Sequence, residues 1–112
     1  MKLLEPITTQ NDTRKMTRKK LLDYLEENQN ATVPGLIRKF NLDPANALRQ
    51  RTGDIFPRNY NELHTFKLIS IQTYGKATPV EHYLKAMSLI IRMKEEGLLY
   101  ITSDCASVMI QK

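Results

Sequence analysis

The chain has 112 residues, enough for one domain with its own core but not for two, and its 41% of hydrophobic and 26% of charged residues are typical of a soluble globular protein. The longest uncharged stretches fall well short of the ~20 apolar residues that a membrane span needs. Lysine and arginine outnumber aspartate and glutamate by 17 to 12, and the net charge of +5 favours polyanionic partners.

Residues 1–16 are predicted to form a flexible basic arm, because proline, threonine, asparagine and aspartate are mixed there without a period. Met1–Gln10 has no apolar run after its lysine, so we expect no secretory signal. The single cysteine, Cys105, cannot form an internal disulfide and is expected to be a buried residue in a reducing compartment. These features predict a cytoplasmic protein.

A basic cluster lies where this arm meets the first predicted helix. Such a cluster can neutralise phosphates and release their counterions, which gives affinity for nucleic acid without sequence preference. The simpler alternative is a solvated helix start, although basic residues at that end oppose the helix dipole. The residues predicted to hold phosphates are Arg14, Lys15, Arg18, Lys19 and Lys20 in this cluster, with Arg38 and Lys39 of the next helix also predicted to contact DNA.

The first predicted helix begins after Thr17, whose hydroxyl can cap it, and continues to about Asn28. Leucines and a tyrosine recur on its apolar side, whereas acidic residues occupy the other side. The apolar side consists of Leu21, Leu22, Tyr24 and Leu25. Polar residues at 28–30 then separate this helix from the next one.

A second helix is predicted to start at Val33, because Thr32 can cap it and Pro34 lacks a backbone donor that would be unpaired in the first turn. Its apolar residues recur at i, i+3, i+4 and i+7, and Arg38 and Lys39 point away from them. Asn41 is predicted to end the helix, since asparagine tolerates the left-handed conformation. The apolar side consists of Val33, Leu36, Ile37 and Phe40.

A third helix is predicted over 43–54, where Asp43 followed by Pro44 repeats the pattern of a cap and a proline eleven residues after Thr32. Arginine can bond guanine, and asparagine or glutamine can bond adenine, in the major groove. The outward side of this helix therefore suits base recognition, with an ordinary polar surface helix as the alternative. The inward residues are Ala45, Leu48, Thr52 and Ile55. The outward residues are Asn46, Arg49, Gln50 and Gly53, with Arg51 beside them.

The stretch Thr32–Arg51 resembles the helix-turn-helix of small bacterial and phage regulators, whose first helix carries a T-V-x-x-L-type pattern and whose second helix opens with Ser or Asp. Three positions depart from the usual pattern: Asn41 replaces the turn glycine, and Ala47 and Gln50 stand where larger apolar residues are common. The resemblance implies a winged-helix or helix-turn-helix fold that places the helix 43–54 in the major groove of DNA.

After Phe56, proline and asparagine predict a loop over 57–61. Arg58 and Tyr60 either contact a phosphate backbone or only fix this loop, and the second interpretation is favoured. Phe66–Tyr74 is rich in β-branched and aromatic residues and predicts a strand, with a turn at Gly75.

A capping box at 78–81 predicts a long helix from Pro79 to Glu96, closed by Gly97. The alternative is that 78–84 forms the return strand of a winged hairpin and the helix starts near Lys85. Leu98–Thr102 and Ser107–Gln111 then alternate in polarity and predict a terminal hairpin.

Signals for catalysis or cofactors are not found. The sequence has no glycine-rich phosphate loop, no Cys/His ligand spacing and no nucleophile elbow. His64 and His82 have no acid or cysteine at ligand spacing. We therefore expect no enzyme activity, no metal and no cofactor.

Taken together, the patterns predict an α+β, mainly helical, winged-helix-like domain over 17–112, with a helix-turn-helix core at 17–58 and a wing and dimerisation part at 59–112. The predicted function is sequence-specific binding of double-stranded DNA by a small transcriptional regulator of phage or plasmid type. A homodimer is expected, since operators are commonly symmetric.

Alternatives remain open for both the function and the oligomer. The same fold could serve a non-enzymatic protein-interaction module, since fold does not determine function. Single-stranded nucleic acid is a weaker option because few aromatic residues are expected to be exposed. A group of residues in the C-terminal half belongs either to the core or to a dimer face. They are Tyr74, Met87, Met93 and Met109.

Overall fold

The computed structural model describes residues 16–42, 46–75 and 81–111. These residues form an α+β fold that is mainly helical, with five helices and one small antiparallel sheet in the described ranges. The basic residues Arg14 and Lys15 of the predicted arm lie outside them, as does the predicted helix start at Asp43–Pro44. The elements in chain order are α1 (Arg18–Asn28), β1 (Asn30–Thr32), α2 (Val33–Phe40), α3 (Asn46–Thr52), α4 (Tyr60–Tyr74), α5 (Glu81–Glu95), β2 (Leu99–Ile101) and β3 (Ser107–Ile110).

Threonine hydroxyls cap the first two helices, as the sequence predicts. The Thr17 hydroxyl accepts a hydrogen bond from the backbone N–H of Lys20 at 3.2 Å, and the Thr32 hydroxyl accepts one from the N–H of Gly35 at 3.2 Å. Asn41 ends α2 in the left-handed conformation, with φ 54° and ψ 43°. Both predicted helix starts and the predicted stop are therefore confirmed.

Buried side chains from all five helices and from the sheet form one hydrophobic cluster. Met87 and Met93 are fully buried within it, so these two methionines belong to the core. Tyr74 is partly buried and packs against the same cluster. The largest fully buried side chains are Tyr83, Phe56, Leu21, Leu25, Leu36, Leu48, Met87, Ile90, Ile91, Met93 and Val33.

The sheet has the strand order β1-β3-β2, and both pairings are antiparallel. The predicted C-terminal hairpin is confirmed as β2 and β3. Ala31, Val108 and Ile101 lie side by side across the three strands and face the core. Strand β1 is not predicted from the sequence, because three residues with one buried apolar position carry too little local pattern. It forms through its pairing with β3, at the far end of the chain.

The strand predicted over Phe66–Tyr74 is wrong, because this stretch belongs to the fifteen-residue helix α4. Phe66 and Ser70 are buried one helical turn apart, and the helix packs against α3 and α5. This packing overrides the β-propensity of the individual residues. The predicted loop is correspondingly shorter, since Asn59 caps α4 by accepting a hydrogen bond from the N–H of Glu62 at 2.9 Å.

The long helix predicted from Pro79 to Glu96 is confirmed over Glu81–Glu95, and Gly97 follows it with a φ of 83°. The alternative of a strand over 78–84 is wrong for 81–84, and residues 78–80 lie outside the described ranges. No helix among the described residues combines the length and the apolar character needed to cross a membrane.

Candidate nucleic-acid interface

Helix α3 is held in place by one buried leucine and one tyrosine. The Leu48 side chain is fully buried, and its backbone N–H donates a hydrogen bond of 3.4 Å to the hydroxyl of Tyr74 at the end of α4. Such a bond satisfies one of the backbone donors that a helix start leaves unpaired. At the other end, the Thr52 hydroxyl donates to the carbonyl of Leu48 at 3.2 Å. The core therefore determines which side of α3 is exposed.

Three of the predicted base-reading residues are exposed on α3. They are Asn46, Gln50 and Arg51, and none of their side chains forms a hydrogen bond or ion pair with a described residue. A shallow depression of about 480 Å³ lies along this side of the helix. It is lined by Asn46, Arg49, Gln50, Gly53 and Asp54. The amide groups in this depression are available to a ligand.

Arg49 differs from its neighbours because a carboxylate already binds it. Its Nε donates to Oδ1 of Asp54 at 2.6 Å, and its Nη2 donates to Oδ2 at 3.1 Å. The Arg49 side chain is only 22% exposed. The hydrogen bond to Asp54 raises the pKa of the Arg49 guanidinium, and partial burial opposes this shift. The guanidinium charge is thus neutralised within the protein.

The backbone after α3 brings Asp54 back to Arg49. The N–H of Gly53 donates to the Arg49 carbonyl at 2.7 Å, and Gly53 and Asp54 both have left-handed backbones, with φ values of 78° and 57°. Two successive left-handed residues reverse the chain sharply. Sequence reasoning missed this pair, because the acid follows the helix and its approach depends on the turn. The available signal was a glycine-aspartate dipeptide five residues after an arginine.

Tyr83 of α5 lies beneath the end of α3. Its side chain is fully buried, and its hydroxyl has no hydrogen bond of normal geometry to a described residue, although it approaches Thr52. Burial raises the pKa of Tyr83 to about 12, and the negative charge of Asp54 acts in the same direction. Arg49 and Thr52 partly oppose this shift. The neutral phenol is therefore strongly favoured at this position.

The predicted phosphate-binding residues of α2 are exposed. Arg38 and Lys39 lie in its last turn and form no ion pair with a described residue. Lys39 and Lys20 line the same small depression between α1 and α2, together with the acidic residues Asp23 and Glu27. The structure thus brings together one lysine from the basic cluster and one from the predicted helix-turn-helix.

Other basic residues of the prediction are in contact with acids. Arg18 forms an ion pair with Glu96, and Lys19 forms one with Asp23 at 3.1 Å. All four side chains are well exposed. Exposed ion pairs of this kind contribute about 0–1 kcal/mol, so a phosphate can replace the acid at little cost.

Arg58 is bound at the start of α4. Its backbone N–H and its guanidinium both donate to the Glu62 carboxylate, at 2.8 and 3.0 Å, and Lys94 donates to its carbonyl at 2.9 Å. The bond from the Arg58 backbone lowers the pKa of Glu62, against the effect of burial. These contacts are those of a residue that fixes the local structure, which is the interpretation that the sequence favours.

Two exposed apolar areas lie away from these basic residues in the chain. On α4, Leu68 and Ile71 are 46% and 43% exposed and lie one turn apart. Tyr60, 42% exposed, lies two turns earlier on the same side, with the exposed polar residues His64 and Lys67 between. On the sheet, Tyr100 is 47% exposed and lies next to Met109 across the strands. A groove of about 860 Å³ runs between this side of the sheet and the end of α1. The sequence does not predict the area on α4, and on the sheet it singles out only Met109, as a residue of the core or of a dimer face.

Among the described residues, no group of three or more histidine, cysteine, aspartate or glutamate side chains could hold a metal ion. Comparison with protein-family models, curated proteins and solved structures finds no match to this chain. The exposure and charge of the chain's own side chains are therefore what indicates its function.

Proposed function

We propose that the protein is a winged-helix-like, sequence-specific double-stranded DNA-binding protein, a small transcriptional regulator of phage or plasmid type. The observation that carries this proposal is the exposed pair of amides Asn46 and Gln50, one turn apart on a short helix whose opposite side is anchored by Leu48, with Arg51 exposed on the flank of the same helix. Amide and guanidinium groups are the donors and acceptors that distinguish adenine and guanine in the major groove. In this proposal α3 enters the groove and the β2–β3 hairpin is the wing.

Phosphate contacts supply the affinity in this proposal. Arg38 and Lys39 are exposed and unpaired among the described residues, and Arg18, Lys19 and Lys20 follow the start of α1. Each phosphate neutralised releases counterions, so binding must weaken as salt rises. In the sequence, Arg14 and Lys15 extend the same cluster towards the N-terminus.

The proposal is tested by titrating labelled random-sequence duplex DNA at several salt concentrations. The variant Arg38→Ala/Lys39→Ala should bind all sequences more weakly, and its dependence of log K on log salt should be shallower by about 2, because two phosphate contacts are lost. The control Lys85→Ala/Arg92→Ala removes the same charge from exposed positions on α5 and should change the slope little.

Two results would contradict the proposal. Absence of binding by the wild type at low salt would exclude DNA as the ligand. Equal losses in the two double variants would show that net charge alone, and not the end of α2, governs the affinity.

The second candidate is a protein-interaction module, and the sheet supplies the observation that favours it. Tyr100 is exposed and lines a groove with apolar and polar walls, formed by Leu25, Met109 and Ile110 together with Glu26, Gln29, Asn30 and Gln111. Exposed aromatic residues are enriched in protein interfaces. A module that binds only protein would show little affinity for random duplex and no steep dependence on salt.

A further inference from the structure

We infer that Asp54 is a specificity-determining residue, which holds Arg49 in place to read a base and prevents it from acting as a general phosphate-binding charge. This inference rests on the proposed DNA binding and deepens it. It assigns a positioning role to an acidic residue that lies outside α3 and carries no charge suited to DNA.

Arg49 retains N–H donors for a ligand while Asp54 binds it. A guanidinium has five N–H groups, and Asp54 occupies two of them, one on Nε and one on Nη2. Three N–H groups therefore remain for a second acceptor. Guanine presents two acceptors, O6 and N7, to an arginine in the major groove. Arg49 can thus keep its bond to Asp54 while it binds a guanine.

The Arg49 side chain is also held rigid by Asp54 before DNA binds. A long arginine side chain loses rotamer freedom when it is fixed at an interface, and this loss weakens binding. The two bonds to Asp54 fix the Arg49 guanidinium before any ligand arrives. The left-handed turn at Gly53 and Asp54 holds the carboxylate in turn. The side chain of Arg49 has therefore already lost its rotamer entropy in the free protein, and binding does not have to remove it.

The negative charge of Asp54 also discriminates between a phosphate and the edge of a base. DNA presents a phosphate at every step, whereas a guanine edge occurs at particular positions, so an unpaired arginine favours all sequences alike. The Asp54 carboxylate neutralises Arg49 and is itself 39% exposed in the same depression as Asn46 and Gln50. It therefore repels a phosphate that enters this depression. The neutral edge of a base meets no such repulsion.

The test begins with duplexes that the wild type enriches from a random-sequence library. The specificity ratio is then the affinity for an enriched duplex divided by that for bulk random duplex. Asp54→Asn should lower this ratio by about fivefold or more, the low end of one bidentate arginine contact. Asparagine tolerates the left-handed conformation, so the turn is retained. Thermal unfolding of each variant checks the fold.

Two further variants separate the role of Asp54 from general effects. Asp23→Asn removes the acid from the exposed Lys19 ion pair, and so changes the net charge equally without touching α3. It should leave the ratio unchanged. In an Arg49→Ala background, Asp54→Asn should no longer lower the ratio. The base position at which Asp54→Asn loses preference should be the same position at which Arg49→Ala loses it. A purely structural effect of the substitution would not produce this agreement.

The outcomes separate this inference from the proposed function. If the wild type enriches a sequence and Asp54→Asn keeps its specificity ratio, the role of Asp54 is excluded and DNA binding stands. If the wild type binds duplex but enriches no sequence, the role of Asp54 is likewise excluded. If the wild type binds no duplex at low salt, both are excluded. A loss in Asp54→Asn that persists without Arg49 also overturns the inference.

Discussion

Single residues on α3 differ in what they can offer to DNA, although the sequence pattern treats them alike. Asn46 and Gln50 are exposed, and their side chains make no hydrogen bond to a described residue. Arg49 lies on the same side but is bound by both oxygens of Asp54. The amide side chains of Asn46 and Gln50 can reorient towards a base, whereas the Arg49 guanidinium is held in one position. Loss of Arg49 alone should therefore affect base preference more than general affinity.

Burial of Tyr83 is expected to affect the stability of the protein at high pH. Its pKa is raised to about 12 in the folded protein, so the folded state retains the phenol proton more tightly than the unfolded state does. The resulting stabilisation is fully present below pH 10, the ordinary pKa of tyrosine, and is lost as pH rises from about 10 to about 12. It amounts to roughly 2 to 3 kcal/mol.

Urea unfolding across this pH range measures the effect. Tyr83→Phe should remove that part of the alkaline loss, and should change stability little at neutral pH, because the hydroxyl has no normal hydrogen bond to lose. Tyr100→Phe, at a tyrosine that is 47% exposed, is the control and should retain the loss. An alkaline transition that is identical in Tyr83→Phe and the wild type would contradict the assignment.

Helix α4 shows how an element can differ from the preference of its residues. The segment 66–74 contains several β-branched and aromatic side chains, which predict a strand. The helix forms because Asn59 and Gly75 provide its two caps and because its buried side packs against α3 and α5. A segment that is apolar on both sides shows neither helical nor strand periodicity clearly.

The Asn59 cap can be tested by substitution. Asn59→Ala should lower the free energy of unfolding by about 1 kcal/mol, because the backbone N–H of Glu62 then loses its acceptor. Asn61→Ala, two positions on within the first turn of α4, should cause no loss, since alanine favours helices more than asparagine does. Equal losses measured by urea unfolding would argue against a cap at residue 59.

The exposed apolar residues of α4 bear on the homodimer that the sequence predicts. Tyr60, Leu68 and Ile71 are 42–46% exposed and recur on one side of the helix. A symmetric dimer that reads a two-fold operator needs a self-complementary surface, and an exposed apolar helix side can provide one. The fully buried methionines Met87 and Met93 cannot.

Light scattering after gel filtration tests this dimer. The wild type should have twice the chain mass of 13.0 kDa. The variant Leu68→Glu/Ile71→Glu should have the mass of a single chain, because two buried charges would oppose association. Tyr100→Glu changes an exposed residue of the sheet and should leave the dimer intact. A wild type that is monomeric at all concentrations would exclude the dimer, and dissociation by Tyr100→Glu alone would move the interface to the sheet.

Local patterns in the sequence were sufficient to predict α1, α2, most of α5 and the terminal hairpin. The caps at Thr17 and Thr32 and the stop at Asn41 act within three or four residues, so neighbouring letters reveal them. Apolar spacing similarly identified Leu48 as the buried residue of α3.

The remaining features depended on tertiary structure. Strand β1 exists because β3 pairs with it across most of the chain, and α4 is a helix because two other helices cover its buried side. The Arg49–Asp54 pair requires two successive left-handed residues, whose conformation side-chain chemistry alone does not specify. Contacts between distant residues and the path of a turn are set by packing of the whole domain, and they decide which arginine is free and which is held.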